Sequence, residues 1–156
     1  MTTDTDHFTL SRRLPLPPDR LWQVLTDARA REQWGAPTEG TVLTVEVTDL
    51  REGGHERHRC GPADAPDFVV DTRWYHLDPP RRAVFTETVR IGDMALATSL
   101  VTYVLSTGDD GTTLDLAVSL SSFSGPGSLP EFRIGWEGGL ANLDRYVAGL
   151  ASESPA

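Results

Sequence analysis

The stretch "SLPEFRIGWEGGLANLDRYVAGL", residues 128–150, reads as one long helix with a face that must be covered. Ser128 stands three residues before Glu131, the spacing of a capping box, and Pro130 falls in the first turn, where its missing N–H costs little. Trp136, Leu140, Leu143, Val147 and Leu150 recur at steps of four, three, four and three, which puts them on one stripe. Such a stripe needs a surface to lie against, and the preceding sequence supplies one. From residue 41 to 121 the apolar period changes to two, through "TVLTVEV", "HERHRC", "DFVVDTRWYHL", "RAVFTETV", "ATSLVTYVL" and "TTLDLAVSL". The last of these alternates Leu114, Leu116, Val118 and Leu120 with Thr113, Asp115, Ala117 and Ser119, so one face is buried and the other is wet. The separating pieces "REGG", "GPADAP", "DPPR", "RIGD" and "TGDDG" are short turn sequences, and short links between successive strands favour an antiparallel meander.

Upstream, "HFTLSRRLPL" (7–16) has the character of a strand. "PPDRLWQVLTD" follows with Pro18 and Asp19 in a first turn and Leu21, Val24 and Leu25 at helical spacing. A second short helix, roughly 28–34, follows Asp27 as its N-cap and stops at "WGAP" through Gly35 and Pro37. The expectation is an α+β chain ordered as strand, two short helices, six strands and a long closing helix. Residues 7–151 form one domain in this reading, with 1–6 a flexible N-terminus and 152–156 a disordered tail.

A chain of 156 residues, 38% apolar, suffices for one core and is too short for two ordinary domains. Its 14 basic and 23 acidic residues leave a net charge of −9, which repels nucleic-acid phosphates and anionic lipid. No nucleic-acid partner and no membrane partner are therefore expected. The opening "MTTDTDHFTL" lacks the basic and apolar regions of a signal sequence, and no apolar run approaches a bilayer's thickness, so a cytoplasmic location is expected. Cys60 is the one cysteine, which rules out an intramolecular disulfide and agrees with a reducing compartment.

The pieces "LWQVLTDARAREQWGAP", "DLREGGHERHRC", "WYHLDPPRRAVFT", "SLVTYVLSTGDDGTTLDL" and "GWEGGLANLDRYV", in this order, resemble the motifs of the SRPBCC (START-like) superfamily. The nearest branch is similar to the bacterial homologues of the activator of the heat-shock-protein ATPase, over roughly residues 8–150. The resemblance implies a helix-grip fold, in which a curved antiparallel sheet wraps a long C-terminal helix and leaves a cavity between them. A homodimer is among the assemblies that it allows.

The stretch "GGHERHRC" (53–60) concentrates two histidines, a glutamate and the cysteine. On a strand, Glu56, His58 and Cys60 share one face and His55, Arg57 and Arg59 the other. The two imidazoles therefore cannot converge on one ion at about 2 Å, and neither a metal nor any other cofactor is expected. In the resembling family the residues after the double glycine alternate polar and apolar, the apolar ones toward the cavity; here Glu56 and His58 occupy those positions. The same alternation groups Trp74 with His76 and Phe85 with Glu87 on the inner faces of the next strands. An ionised carboxylate placed there needs a histidine or arginine partner. A bulge in the curved sheet would instead turn such residues to water.

The expected ligand-lining set is Trp34, Glu56, His58, Trp74, His76, Phe85, Tyr103, Trp136 and Leu140, with Phe123 also near the cavity. Catalytic motifs are scarce: there is no G-x-S-x-G, no glycine-rich phosphate loop and no H-E-x-x-H. The first functional expectation is a binding module for a small hydrophobic or aromatic ligand. The alternative is an enzyme resembling the superfamily's polyketide cyclases and dehydratases, with Glu56, His58, His76 and Glu87 as candidate acid/base residues. A third, chaperone ATPase cofactor, follows from the family's name alone.

Overall fold

The computed structural model describes residues 4–36 and 38–153. Strand β1 (Asp4–Leu14) leads into helices α1 (Pro18–Thr26) and α2 (Ala28–Trp34). Strands β2 (Thr41–Val47), β3 (His55–Pro62), β4 (Phe68–Asp78), β5 (Arg82–Ile91), β6 (Met94–Gly108) and β7 (Gly111–Ser122) follow, then α3 (Leu129–Glu153). All seven strands join one sheet in the order β1-β7-β6-β5-β4-β3-β2, every pair antiparallel. The order of elements is the one the periodicities implied, and the arrangement is the helix-grip that the resemblance implied.

The stripe on α3 does what its spacing required. Leu140, Leu143 and Val147 are fully buried, with Trp136 and Leu150 packed at the ends. They meet the inward residues of the sheet, among them Leu114, Leu116, Val118 and Leu120 of β7. Burying a Leu or Val side chain stabilises by about 1.5–3 kcal/mol, so this seam is a main source of the fold's stability. Ser128 sits in a tight 3-10 turn ahead of α3, its hydroxyl in contact with Ser122 Oγ at 2.7 Å and donating to Gly125 O at 3.1 Å.

Secondary structure runs past the expected bounds at both ends. Asp4, Thr5 and Asp6, assigned to a flexible N-terminus, pair with Ser122, Ser121 and Leu120 of β7. At the other end, Ser152 and Glu153 continue α3. Residues 1–3 and 154–156, which complete the expected N-terminus and tail, lie outside the described residues, as does Pro37.

Two local features position the cavity wall. At the double glycine, Gly53 takes φ +83° and a Cβ on Gly54 would stand 2.0 Å from Asp49 O, so no other residue fits there. This lets Gly53 N donate to Trp74 O (2.8 Å) and Trp74 N to Gly54 O (3.1 Å), locking the start of β3 against β4. The second is a bulge in β4: Trp74 faces Phe85, yet His76 faces Val84, leaving Tyr75 as the extra residue.

Candidate functional site

A cavity of about 680 Å³ lies between the concave sheet face, α2 and α3. Its apolar surface begins with an aromatic chain. Trp74 and Phe85 ring centres are 4.9 Å apart, Phe85 and Tyr103 5.2 Å, and Tyr103 and Trp136 6.4 Å, in tilted or edge-on contacts that aromatic quadrupoles favour. Trp34 completes the wall from α2, its Nε1 donating to Val24 O at 2.9 Å.

Across the same concave face runs a polar row. The registers place Glu56 opposite Thr72, Thr72 opposite Glu87, and Glu87 opposite Ser99, so four strands each contribute one polar side chain in line across the concave face. His58 and Cys60 extend it along β3. Arg31 reaches the row from α2. Asp27 caps that helix, accepting from Ala30 N at 3.0 Å, and the helix sets Arg31 and Trp34 one turn apart, both toward the sheet.

Glu56 is 1% exposed and its carboxylate is fully engaged: Arg31 Nη2 donates at 2.6 Å, Thr48 Oγ1 at 2.8 Å and Asp49 N at 2.9 Å. It is therefore the partner that holds Arg31 in place. Glu87 differs. It accepts no hydrogen bond from any described residue and contributes to the cavity wall. Burial pushes its carboxyl up to about 7 against the opposing pull of Arg31. His58 is driven down to about 3 by burial and then by the Arg31 charge, so its imidazole is neutral. The Cys60 thiol is raised to about 11 by burial and by Glu87, which keeps it protonated and a poor nucleophile. Burial likewise raises the Tyr103 phenol above its ordinary range. Three buried nitrogens on residues of this wall, Arg31 Nε, His58 Nδ1 and Trp74 Nε1, have no hydrogen-bond partner among the described residues.

The structure brings together Trp34, His58, Trp74, Phe85, Glu87, Tyr103 and Trp136 around the cavity. Glu56 belongs to the same row but lies behind Arg31. Three expected residues are elsewhere. His76, displaced by the β4 bulge, leaves the inner face; its side chain is 40% exposed, with Nδ1 3.7 Å from Glu52 Oε2. Leu140 is packed in the core between α3 and the sheet rather than at the cavity surface. Phe123 is 60% exposed just past β7. Arg31 is the functional residue the sequence reading missed. Its one signal was the three-residue step to Trp34 on a capped helix.

His55 and His58 point to opposite faces: His55 Nε2 lies 3.1 Å from Asp71 Oδ1 on the convex side, where Arg57 and Arg90 also bind Asp71. Among the described residues no three His, Cys, Asp or Glu side chains gather in a metal-holding group.

The model of one family, described as activator of Hsp90 ATPase homolog 1-like protein, matches residues 15–148. The chain belongs to this family. It thereby falls in the SRPBCC superfamily, whose fold commonly binds hydrophobic ligands. Among solved structures, Mll3558 of Rhizobium loti is 27% identical over 94% of this chain and 99% of its own, with a TM-score of 0.80. CV1439 of Chromobacterium violaceum is 25% identical over 90% and 96%, with a TM-score of 0.78. CalU16 of Micromonospora echinospora is 25% identical over 92% and 76%, with a TM-score of 0.63. No curated protein matches the chain. None of the described helices is long and apolar enough to cross a membrane.

Proposed function

We propose that this family member binds a small aromatic or hydrophobic molecule in the helix-grip cavity, and that a hydroxyl or carbonyl on the ligand meets the polar row. The observation that carries the reading is the set of buried nitrogens without a partner among the described residues, Arg31 Nε, His58 Nδ1 and Trp74 Nε1, on residues that line an otherwise apolar cavity. Each buried polar atom left unpaired costs about 1–3 kcal/mol, so a ligand oxygen or water that satisfies them is favoured. A purely aliphatic ligand would displace that water and offer nothing in return.

Three of the chain's four tryptophans, Trp34, Trp74 and Trp136, line the cavity, so intrinsic fluorescence reports occupancy. Titration is expected to show micromolar binding of hydroxylated aromatics and much weaker binding of saturated fatty acids. His58→Leu should weaken the first roughly 5- to 30-fold and spare the second, the size of one lost hydrogen bond. Equal affinities for the two ligand classes, before and after the change, would remove the polar row from the reading.

A second reading, an acid/base enzyme of the cyclase or dehydratase type, draws support from one feature. Glu87 faces the cavity with its carboxyl raised to about 7, where a general base or acid is most effective.

A further inference from the structure

The charges around the cavity do not balance. Arg31 supplies the positive charge, and Glu56 already matches it at 2.6 Å. Glu87 is then left over, and Glu131 of α3 adds a second negative charge to the lining. The other titratable groups beside Glu87, namely His58 and Cys60 of β3 and Tyr103 of β6, are held neutral by their shifts. Glu87 accepts no hydrogen bond from the described residues, and its neighbours across the strands, Thr72 and Ser99, do not bond to it. Trp74 Nε1 and Arg31 Nε are obligate donors, so neither serves a donor group on a ligand. The cavity that Glu87 lines is walled by the linked rings of Trp74, Phe85, Tyr103 and Trp136.

An unmatched carboxylate beside an aromatic wall is the chemistry that recognises an organic cation, through a charge-assisted hydrogen bond and through the ring quadrupoles. We infer that the ligand carries a protonated amine on an aromatic body, with the ammonium taken by Glu87. This rests on the cavity being a ligand site, as proposed above, and adds the group that the ligand presents to the middle of the polar row. Trp74 Nε1 and Arg31 Nε then remain for an oxygen on the same body. The protein's net charge of −9 draws such a cation in and keeps carboxylate ligands out.

Calorimetric titration with 1-naphthylmethylamine, 1-naphthylmethanol and 1-naphthoate separates the possibilities, because the three share one ring system. The amine is expected to bind about tenfold or more tightly than the alcohol, and the naphthoate most weakly. In Glu87→Gln the amine-to-alcohol ratio should fall to near one. The wild-type protein provides an independent arm. Ionised Glu87 is the form that takes the ammonium, and its carboxyl is raised to about 7 while His58 and Cys60 titrate near 3 and 11. Amine affinity should therefore climb about tenfold or more between roughly pH 5.5 and pH 8.5, and alcohol affinity should not follow it. An alcohol that binds as tightly as the amine, or a preference that survives Glu87→Gln, overturns the ammonium assignment and leaves the cavity reading standing. If none of the three binds, both fall together.

Discussion

Glu56→Ala tests the anchor on which the polar row depends. The carboxylate is 1% exposed and receives bonds from Arg31, Thr48 and Asp49. Thr48 is exposed and Asp49 half-buried, so both donors can turn to water once the acceptor is gone. Their loss amounts to about 0.5–1.5 kcal/mol each at most. Arg31 has less recourse: its side chain is 12% exposed, its Nε has no partner among the described residues, and burial holds the carboxyl of Glu87, which feels its charge, up to about 7. Removing one member of a buried ion pair costs about 3–5 kcal/mol, mostly the uncompensated charge left behind. The Arg31 contribution therefore dominates, and the thermal midpoint should fall by on the order of 10 °C for a domain of this size. The double variant Arg31→Met with Glu56→Leu removes both charges and should recover at least half of the loss. Urea unfolding followed by circular dichroism gives both values, provided the slope against urea is unchanged. A loss below about 1 kcal/mol for Glu56→Ala, or a double variant no more stable than the single, would show that water reaches the pair and that Glu56 does not hold Arg31.

Leu143→Ala, at the centre of the α3 seam and fully buried, should cost about 2–5 kcal/mol in the same unfolding assay. A loss under half a kcal/mol would place the stripe outside the core. The raised Glu87 carboxyl contributes stability that is present below its ordinary value of 4.5 and lost as pH rises through about 7. The depressed His58 works oppositely: its contribution is present above 6.5 and lost as pH falls toward about 3. The two slopes oppose each other between those ordinary values. Glu87→Gln removes the first, so its stability relative to wild type should rise by on the order of 2–3 kcal/mol from about pH 4.5 to about pH 7 and then level off. A difference that does not change with pH would show Glu87 to be hydrated in the folded protein.

The order of elements was legible because two periods, one of two and one near 3.6, carry the whole architecture, and the turn sequences between strands are short. Alternation also sorted "GGHERHRC" correctly, with Glu56, His58 and Cys60 inward and His55, Arg57 and Arg59 outward. It failed at "WYHLD", since the bulge that spends Tyr75 leaves no mark on the pattern. Trp74 and Leu77 both pack inward while His76, two residues from Trp74, does not. Arg31 escaped for a different reason. A charged residue on a seven-residue helix normally faces solvent, and its burial becomes reasonable only once Glu56, distant in sequence, is seen beside it. Leu140 shows the limit of reading a cavity from a helical stripe, because core and cavity are lined by one continuous face of α3 and only its first turns reach the opening.

The pairing of β1 with β7 has a consequence for how the chain folds during synthesis. Strand β1 leaves the ribosome ahead of the other six strands, yet its one neighbour in the sheet is β7, which emerges after all of them. The hairpins from β2 to β7 form between neighbours in sequence, whereas joining β1 closes a loop on the order of 100 residues, at an entropic cost of about 4 kcal/mol. Until then Phe8 and Leu14 of β1 and Leu21 and Leu25 of α1, all buried in the finished fold, stay uncovered. A nascent chain stalled before residue 111 therefore presents this segment to whatever binds apolar peptide, and completing β7 withdraws it.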